Sequence, residues 1–566
     1  MVLVPLLLVV LVVVVVVAAR RGPGRTRGSV TEAHAIRRFF QYVLLYGSLV
    51  VMAVGLSGLL GRALDRSPVV TSDEVALARD LAFTVVGVPL CTGLALWSRR
   101  RILLDPLERA SAGWAFYVTA ASVTSLVVAM TGLQSSLGWA LDVEPDNPRA
   151  LARFIVWGVV WAAHWWLHLR FVPAGRSALH HLAGSLTGLV TTATGLATLL
   201  GGLLAMLFLS GGDGVPSNRD EALRGAITLA VGAPVWLLYW LRTAARQERD
   251  TLWLGYVLLP GVAGGLVSAV VSASTVLYTA LVWFLGDPEF TDAVRHFNDA
   301  PWALGAAAAG TVVWWYHQRV LQEAHLPTRT ELRRVYDYLM AAIGLVAAAV
   351  GLTVLVVSGV EAMTRTAPGG LGQSAVNTLL ASVTLLLVGG PVWWFYWHRI
   401  EQAFRTAPAD ESASPTRRAY LLVLFGLGGV TAVVALVVGV YLFFEDLVQG
   451  TVSADTLRSM RVPIGILLST GAIAAYHWTV HRRTRAAVPA ATHGARYVLL
   501  VGPSDPEIAQ AVAHATGGRV QAWSTDDGGA PWSVEAVLAA LAASPDGEVL
   551  VLSDTSGVHA IPVHRR

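Results

Sequence analysis

The chain has 566 residues, of which 55% are hydrophobic and 14% are charged, whereas soluble domains carry about 25% charged residues. A soluble fold of this composition would expose apolar loops and outer faces, so the composition excludes an ordinary soluble protein and predicts an all-α polytopic membrane protein. All 41 basic residues are Arg, which favours a high-GC (actinobacterial) source, and the single Cys excludes an intramolecular disulfide.

The N-terminal segment, 1–34, predicts a transmembrane anchor followed by a basic loop. Its apolar run VLVPLLLVVLVVVVVVAA has nearly the length that crosses a bilayer, about 20 residues. No charge precedes this run, and Arg20 and Arg21 follow it. A cleaved signal peptide needs a basic region before its apolar core. We therefore expect an uncleaved anchor whose N-terminus lies outside.

Twelve further apolar segments follow in pairs, which brings the predicted total to about 13 transmembrane helices. Each pair predicts one helical-hairpin repeat with the same orientation as the others. The predicted repeats are 35–103, 104–173, 174–246, 247–324, 325–407 and 408–487.

The distribution of Arg predicts the orientation of these hairpins. By count, the loops that follow the second helices, together with 20–38, hold 27 Arg and 11 acidic residues, whereas the alternate loops hold 11 Arg and 18 acidic residues. An excess of Arg marks the cytoplasmic side. No charged residue falls in the middle of a predicted span, which makes an ion-coupled pump less expected.

An aromatic signature ends the second helix of most hairpins, for example GAPVWLLYWLR (232–242) and GGPVWWFYWHR (389–399). Trp and Tyr favour the headgroup level, so one interpretation is a repeated aromatic belt, and the other is a specific site for an anionic headgroup. The candidate lipid or interface residues are Trp161, Trp165, Trp236, Trp240, Arg242, Trp314, Trp315, Arg319, Trp393, Trp394, Trp397, Arg399, Trp478 and Arg482. Pro234 and Pro391 lie inside this signature and predict a helix kink.

Several first helices begin with an Arg-Arg pair, as in RRFFQYVLLYGSLV (37–50) and LRRVYDYLMAAIGLV (332–346). Together with the aromatic signature, these pairs make the sequence resemble the bacterial membrane hairpins grouped as domain of unknown function 5671. The resemblance covers about 35–485 as tandem copies. The first and sixth copies depart most, because Trp97 stands alone and Ala474 replaces a Trp. The resemblance implies an architecture and a membrane location but no catalytic residue.

Other patterns favour structural roles over chemical ones. Two histidine pairs, His164 with His168 and His477 with His481, are each spaced four residues apart on one helix face. Such a pair can bind a metal or haem iron, which is the less favoured hypothesis. We favour the interpretation that these histidines are polar residues at the membrane interface. Gly pairs such as 184/188 and 261/265, and the triplet 55/58/61, predict close helix packing, with a pore lining as the alternative. No catalytic grouping, cofactor motif or metal motif occurs in the sequence.

The C-terminal segment, 495–566, predicts a small cytoplasmic α/β domain with the order β-α-β-α-β-β. Ser504 and Glu507 predict a capping box at its first helix. The strand-to-helix turn VGPSDPE suggests an anion site, but a docking or self-association module is favoured because capping side chains satisfy the free N–H groups.

These patterns support two function classes ahead of an enzyme. The first is a structural, interaction or lipid-organising protein of the bacterial inner membrane. The alternative is a permease, channel or lipid-handling transporter with a path between hairpins. Expected partners are the bilayer, anionic lipid headgroups and a protein partner or second copy at 495–566, and no nucleic acid is expected.

Overall fold

A computed structural model of the chain describes residues 30–65, 74–209, 218–322, 331–364, 375–487, 497–503, 505–516, 518–525, 531–542, 548–554 and 557–563. The predicted anchor run, 2–19, lies outside these residues. The chain divides into two compact units, 1–325 and 326–566. Each unit is described by itself.

Long helices in four hairpins make up the described part of the first unit. They are α1 (Val30–Leu64), α2 (Glu74–Leu104), α3 (Ala112–Ala140), α4 (Pro148–Phe171), α5 (Ala178–Phe208), α6 (Asn218–Trp236), α7 (Gly264–Leu285) and α8 (Ala300–Gln322). A π-helical stretch, Leu237–Leu241, extends α6, and a second one, Val257–Ala263, joins the short helix Thr251–Tyr256 to α7. Another short helix, Pro106–Arg109, connects the first two hairpins.

Both π-helical stretches lie at or just after a proline. Pro260 lies inside Val257–Ala263, and Pro234 precedes Leu237–Leu241 by three residues. Proline removes a backbone donor, so the helix locally changes its hydrogen-bond pattern there. Pro391 behaves differently, because it lies inside a continuous α-helix of the second unit.

The second unit contains two more hairpins and the C-terminal domain. Its long helices are α9 (Glu331–Thr364), α10 (Ala375–Thr406), α11 (Pro415–Gln449) and α12 (Arg461–Ala487). Ten helical stretches among the described residues are long and apolar enough to cross a membrane, and α8 and α12 are not among them. The predicted all-α membrane architecture therefore agrees with the structure at the level of apolar helical hairpins.

The C-terminal domain has the predicted order of strands and helices. Its elements are β1 (Tyr497–Gly502), α13 (Pro506–Thr516), β2 (Arg519–Ser524), α14 (Val534–Ala542), β3 (Glu548–Asp554) and β4 (Gly557–Val563). The sheet order is β2-β1-β3-β4, in which β1 is parallel to β2 and β3, and β4 is antiparallel to β3. Ser504, the predicted cap, lies outside the described residues; Asp505 Oδ1 accepts the Glu507 N–H at 2.9 Å.

Glycines hold the hairpins together at their crossing points. In three hairpins, a Cβ added to a glycine of the first helix would collide with the backbone nitrogen of a Trp in the second helix. The pairs are Gly188 and Trp236, Gly265 and Trp314, and Gly344 and Trp393. An added Cβ would likewise collide with a facing residue at each of the other predicted packing positions, Gly55, Gly58, Gly61, Gly184 and Gly261. The predicted packing role of these glycines is confirmed.

Candidate functional site

The aromatic signature divides into a buried face and an exposed face. Trp240 and Trp397 are only 0% and 4% exposed, so protein surrounds them. Five further signature residues are half-buried, namely Trp161, Trp165, Trp236, Trp314 and Trp393. Protein rather than lipid therefore covers Trp240 and Trp397, and the headgroup level of the signature stays a prediction. Their helix faces point towards neighbouring hairpins, which sequence periodicity alone does not reveal.

Four Trp side chains of this face are hydrogen-bonded to Tyr side chains of another hairpin. In each case the indole Nε1–H donates to a Tyr hydroxyl. Trp236 donates to Tyr256 at 3.2 Å. The other three pairs, each at 2.9 Å, are Trp161 with Tyr239, Trp240 with Tyr316, and Trp397 with Tyr476. A buried indole N–H without an acceptor would be costly, so these bonds fix how adjacent hairpins meet.

A histidine is buried at the same place in the second, fourth and sixth hairpins. The Nδ1 atoms of His164, His317 and His477 lie 2.8, 2.8 and 2.9 Å from the carbonyl oxygen four residues earlier. A carbonyl only accepts, so Nδ1 carries the proton and Nε2 is left as an acceptor. Accordingly, Tyr117 Oη lies 3.0 Å from His164 Nε2, and Tyr420 Oη lies 3.3 Å from His477 Nε2. All three histidines are buried in protein, so each ring nitrogen is satisfied or enclosed by protein.

A second group of histidines lies between α4 and α5. The rings of His168 and His180 stack at a centroid distance of 3.8 Å, and Gln247 Nε2 lies 2.7 Å from His181 Nδ1. Among the described residues, no group of three or more His, Cys, Asp or Glu side chains is placed to bind a metal ion. His481 was the other predicted candidate, and its side chain lies outside the described part of the chain.

A buried carboxylate near the start of α1 was missed by the sequence reasoning. Glu108 is fully buried and accepts from Arg37 Nη2 at 2.8 Å, Arg38 Nε at 2.9 Å and Tyr42 Oη at 3.0 Å. Burial alone would raise the pKa of the Glu108 carboxyl, but the hydrogen bonds from Arg38, Arg37 and Tyr42 outweigh it and hold the pKa below its usual range.

The second unit repeats this arrangement. Glu411 is buried and accepts from Arg334 Nε at 2.9 Å. Glu108 and Glu411 each lie three residues before the Ser that caps the next helix. The sequence signal for these buried carboxylates was therefore a Glu three residues before a capping Ser, together with an Arg-Arg pair at the start of the preceding hairpin. Gln247 takes the place of this Glu before the fourth hairpin, because it lies three residues before the capping residue Asp250.

The exposed face of the signature pairs Trp with a basic residue one helical turn later. Trp315 is 48% exposed, and Arg319 Cζ lies 4.1 Å from the centre of its ring. Exposed Trp478 and Trp394 precede Arg482 and His398 by the same four residues.

Two more exposed pairs of this kind were not among the predicted residues. The centre of the Trp97 ring lies 5.2 Å from Arg101 Cζ, and Trp166 precedes Arg170 by four residues. The sequence signal was the Trp-x-x-x-Arg spacing itself.

Of the remaining predicted residues, Arg242 is exposed after the π-helical end of α6, and Arg399 Cζ lies 5.6 Å from the centre of the Phe395 ring.

A small cavity lies beside His477 in the second unit. It is lined by Tyr338, Trp397, Arg417, Tyr420, Leu421, His477 and Val480, and its volume is about 10 Å³. This volume holds about one water molecule. A larger solute does not fit in the cavity as it stands.

Comparison with known proteins places the repeats in one family. The sequence model described as Domain of unknown function (DUF5671) matches residues 38–163, 179–316 and 334–472. Each match spans two hairpins, so four helices correspond to one copy. No curated protein and no solved structure matches the chain.

Proposed function

The chain belongs to the family described as Domain of unknown function (DUF5671), and from that premise we propose that it is a structural protein of the bacterial inner membrane that organises anionic lipid. The exposed Trp-x-x-x-Arg pairs carry this proposal. They recur at the Arg-rich ends of second helices, where a ring and a guanidinium fit the boundary between acyl chains and phosphate groups.

The exposed Trp–Arg pairs place a guanidinium next to an aromatic ring, which an Arg alone at a helix end does not. Arg319 lies over the ring of Trp315, which holds the guanidinium close to the helix, and Arg319 is exposed. A guanidinium binds phosphate oxygens through two parallel hydrogen bonds. Anionic and zwitterionic phospholipids both present a phosphodiester, but a zwitterionic headgroup adds an ammonium group that the guanidinium repels, so the pair favours an anionic headgroup.

Close packing supports a structural protein over a permease. Glycine contacts bring the helices of a hairpin together, and Trp–Tyr hydrogen bonds join adjacent hairpins. A permease path would separate neighbouring hairpins along a polar passage, whereas these hydrogen bonds join them directly.

Native mass spectrometry of the detergent-purified protein tests lipid binding. The variant Trp315→Leu/Arg319→Gln is compared with wild type and with Trp139→Leu, a Trp that is also 48% exposed but lies at the opposite end of its hairpin. A basic residue near an anionic surface contributes about 1 kcal/mol. We expect retention of phosphatidylglycerol to fall about fivefold in the double variant only. Equal phosphatidylglycerol retention in all three proteins would refute the proposal.

The orientation is part of the proposal and has its own test. The Arg asymmetry supports an N-terminus outside and a cytoplasmic domain at 495–566, where the domain would act in docking or self-association. A periplasm-active phosphatase fused after Arg566 should be inactive, and the same enzyme inserted between α3 and α4 should be active. High activity of the C-terminal fusion would contradict this orientation.

A further inference from the structure

The first and second family copies meet through a defined interface inside the first unit. Leu126 and Met130 of α3 are buried together with Val231 of α6 and with Tyr239. At the outer end of α3, Arg224 of α6 donates from Nη2 to the Val143 carbonyl at 2.9 Å. The second hairpin of the chain thus packs against the third.

The last family copy has the same face on α11. The capping residues Ser111 and Ser414 align α3 with α11, as do Tyr117 and Tyr420, whose hydroxyl groups each lie beside the Nε2 atom of a buried histidine. This alignment places Gly429 at the position of Leu126 and Val433 at the position of Met130.

Burial differs sharply between the two copies at these positions. Leu126 and Met130 are 3% and 5% exposed, whereas Val433 is 60% exposed and Gly429 has no neighbour within 4 Å of an added Cβ. On α12, Trp478 holds the position of Trp165. The Trp165 ring packs at 4.9 Å from Tyr239 of the next copy, whereas Trp478 is exposed.

The first hairpin presents the complementary face on α2. The shared Gly-x-Pro sequence aligns Gly87 and Pro89 with Gly232 and Pro234 of α6. Val86 then holds the position of the buried Val231, and Val86 is exposed.

Charge complementarity supports contact between these two faces. Arg79 lies on α2 at the position of Arg224, whose guanidinium bonds the Val143 carbonyl oxygen after α3. Arg79 donates to Asp80 from Nε and Nη2, and its side chain is 55% exposed, so its outer N–H groups reach the surface. Glu445 and Asp446 lie at the corresponding outer end of α11. A guanidinium of α2 would therefore meet acidic groups where the interface inside the chain offers it a carbonyl oxygen.

We propose that copies of this chain associate head to tail, with α2 of one copy packed on the α11 and α12 face of a second copy. The association repeats, between molecules, the contact between the first and second family copies within one molecule. Because the two surfaces differ, the contact is heterologous. The inference does not depend on lipid binding by the Trp–Arg pairs.

Cysteine crosslinking in native-like membranes tests the proposal in the full-length chain carrying Cys91→Ser. Val86→Cys and Val433→Cys proteins with different tags are co-expressed and oxidised. A disulfide-linked heterodimer is expected only when both proteins are present. The matched control is Val434→Cys, because Val434 is 57% exposed and the equivalent Thr131 stays exposed in the first copy. Homodimers of the single variants, equal crosslinking of Val434→Cys, or no heterodimer would each overturn the proposal.

Charge reversal gives a second readout that does not need cysteine. Arg79→Glu, and separately Glu445→Arg/Asp446→Arg, should each lower the dimer fraction in single-molecule photobleaching at least threefold, and the combined variant should restore it. Each variant is first checked for wild-type elution and helical content, so that loss of folding is distinguishable. Equal dimer fractions in all of them would contradict the predicted contact.

Discussion

Replacing Glu108 by Gln tests the buried ionic cluster at the start of α1. The carboxylate accepts three hydrogen bonds of 2.8, 2.9 and 3.0 Å, two of them from Arg37 and Arg38. A bond to a charged group contributes about 1.5–3 kcal/mol when buried. The two Arg side chains are 26% and 24% exposed, so about 1 kcal/mol is appropriate for each, with about 1 kcal/mol for the Tyr42 bond. We expect Glu108→Gln to destabilise the first unit by about 3 kcal/mol.

The single cysteine of the chain provides the assay. Cys91 is buried in the first unit, so a fluorogenic maleimide reports thermal unfolding there. With about 2–4 °C per kcal/mol, Glu108→Gln should lower Tm by about 6–12 °C. Arg38 and Glu108 are in direct contact, so the double variant Glu108→Gln/Arg38→Ser should lose less stability than the two single changes added together. A Tm shift below about 2 °C, or strict additivity, would refute the reasoning.

Three further predictions concern the Glu108 carboxyl, the buried aromatic face and the glycine contacts. Because the folded pKa of Glu108 lies below its usual value of 4.5, its stabilisation is present above about pH 4.5 and is lost as the pH falls through the folded value; Tm should therefore fall less on acidification in Glu108→Gln than in wild type. Trp397→Phe removes the bond to Tyr476 and should cost about 1 kcal/mol in thermal unfolding, whereas Phe at the exposed Trp394 should cost little. Gly265→Leu should abolish folding as judged by size-exclusion elution, while Gly255→Ala, at a position with open space, should elute as wild type.

The hairpins were predictable because their signal is local. Apolar runs of membrane length, interrupted by charged loops, fix where helices begin and end, and the glycine spacing indicates close contact within a hairpin. The C-terminal domain was predictable for the same reason, since β1 and β3 alternate buried and half-buried residues next to parallel partners.

The partner of each aromatic face was not predictable, because periodicity identifies a face but not what covers it. Trp393 and Trp397 are half-buried and buried, while Trp394, between them in sequence, is exposed. Lipid and a neighbouring hairpin both favour Trp at that depth, so composition does not separate them. The Glu108 cluster was hidden for another reason. Its partners lie about 70 residues apart in sequence and meet only when α1 packs beside the short helix Pro106–Arg109.

Electron cryomicroscopy of the protein in lipid nanodiscs tests the central claim most directly, because it shows the helices and the bilayer boundary together. The account predicts that the rings of Trp315 and Trp478 lie in the headgroup layer of one leaflet, with Trp240 and Trp397 enclosed by protein. Exposed Trp rings in opposite leaflets, or Trp240 and Trp397 facing acyl chains, would contradict it.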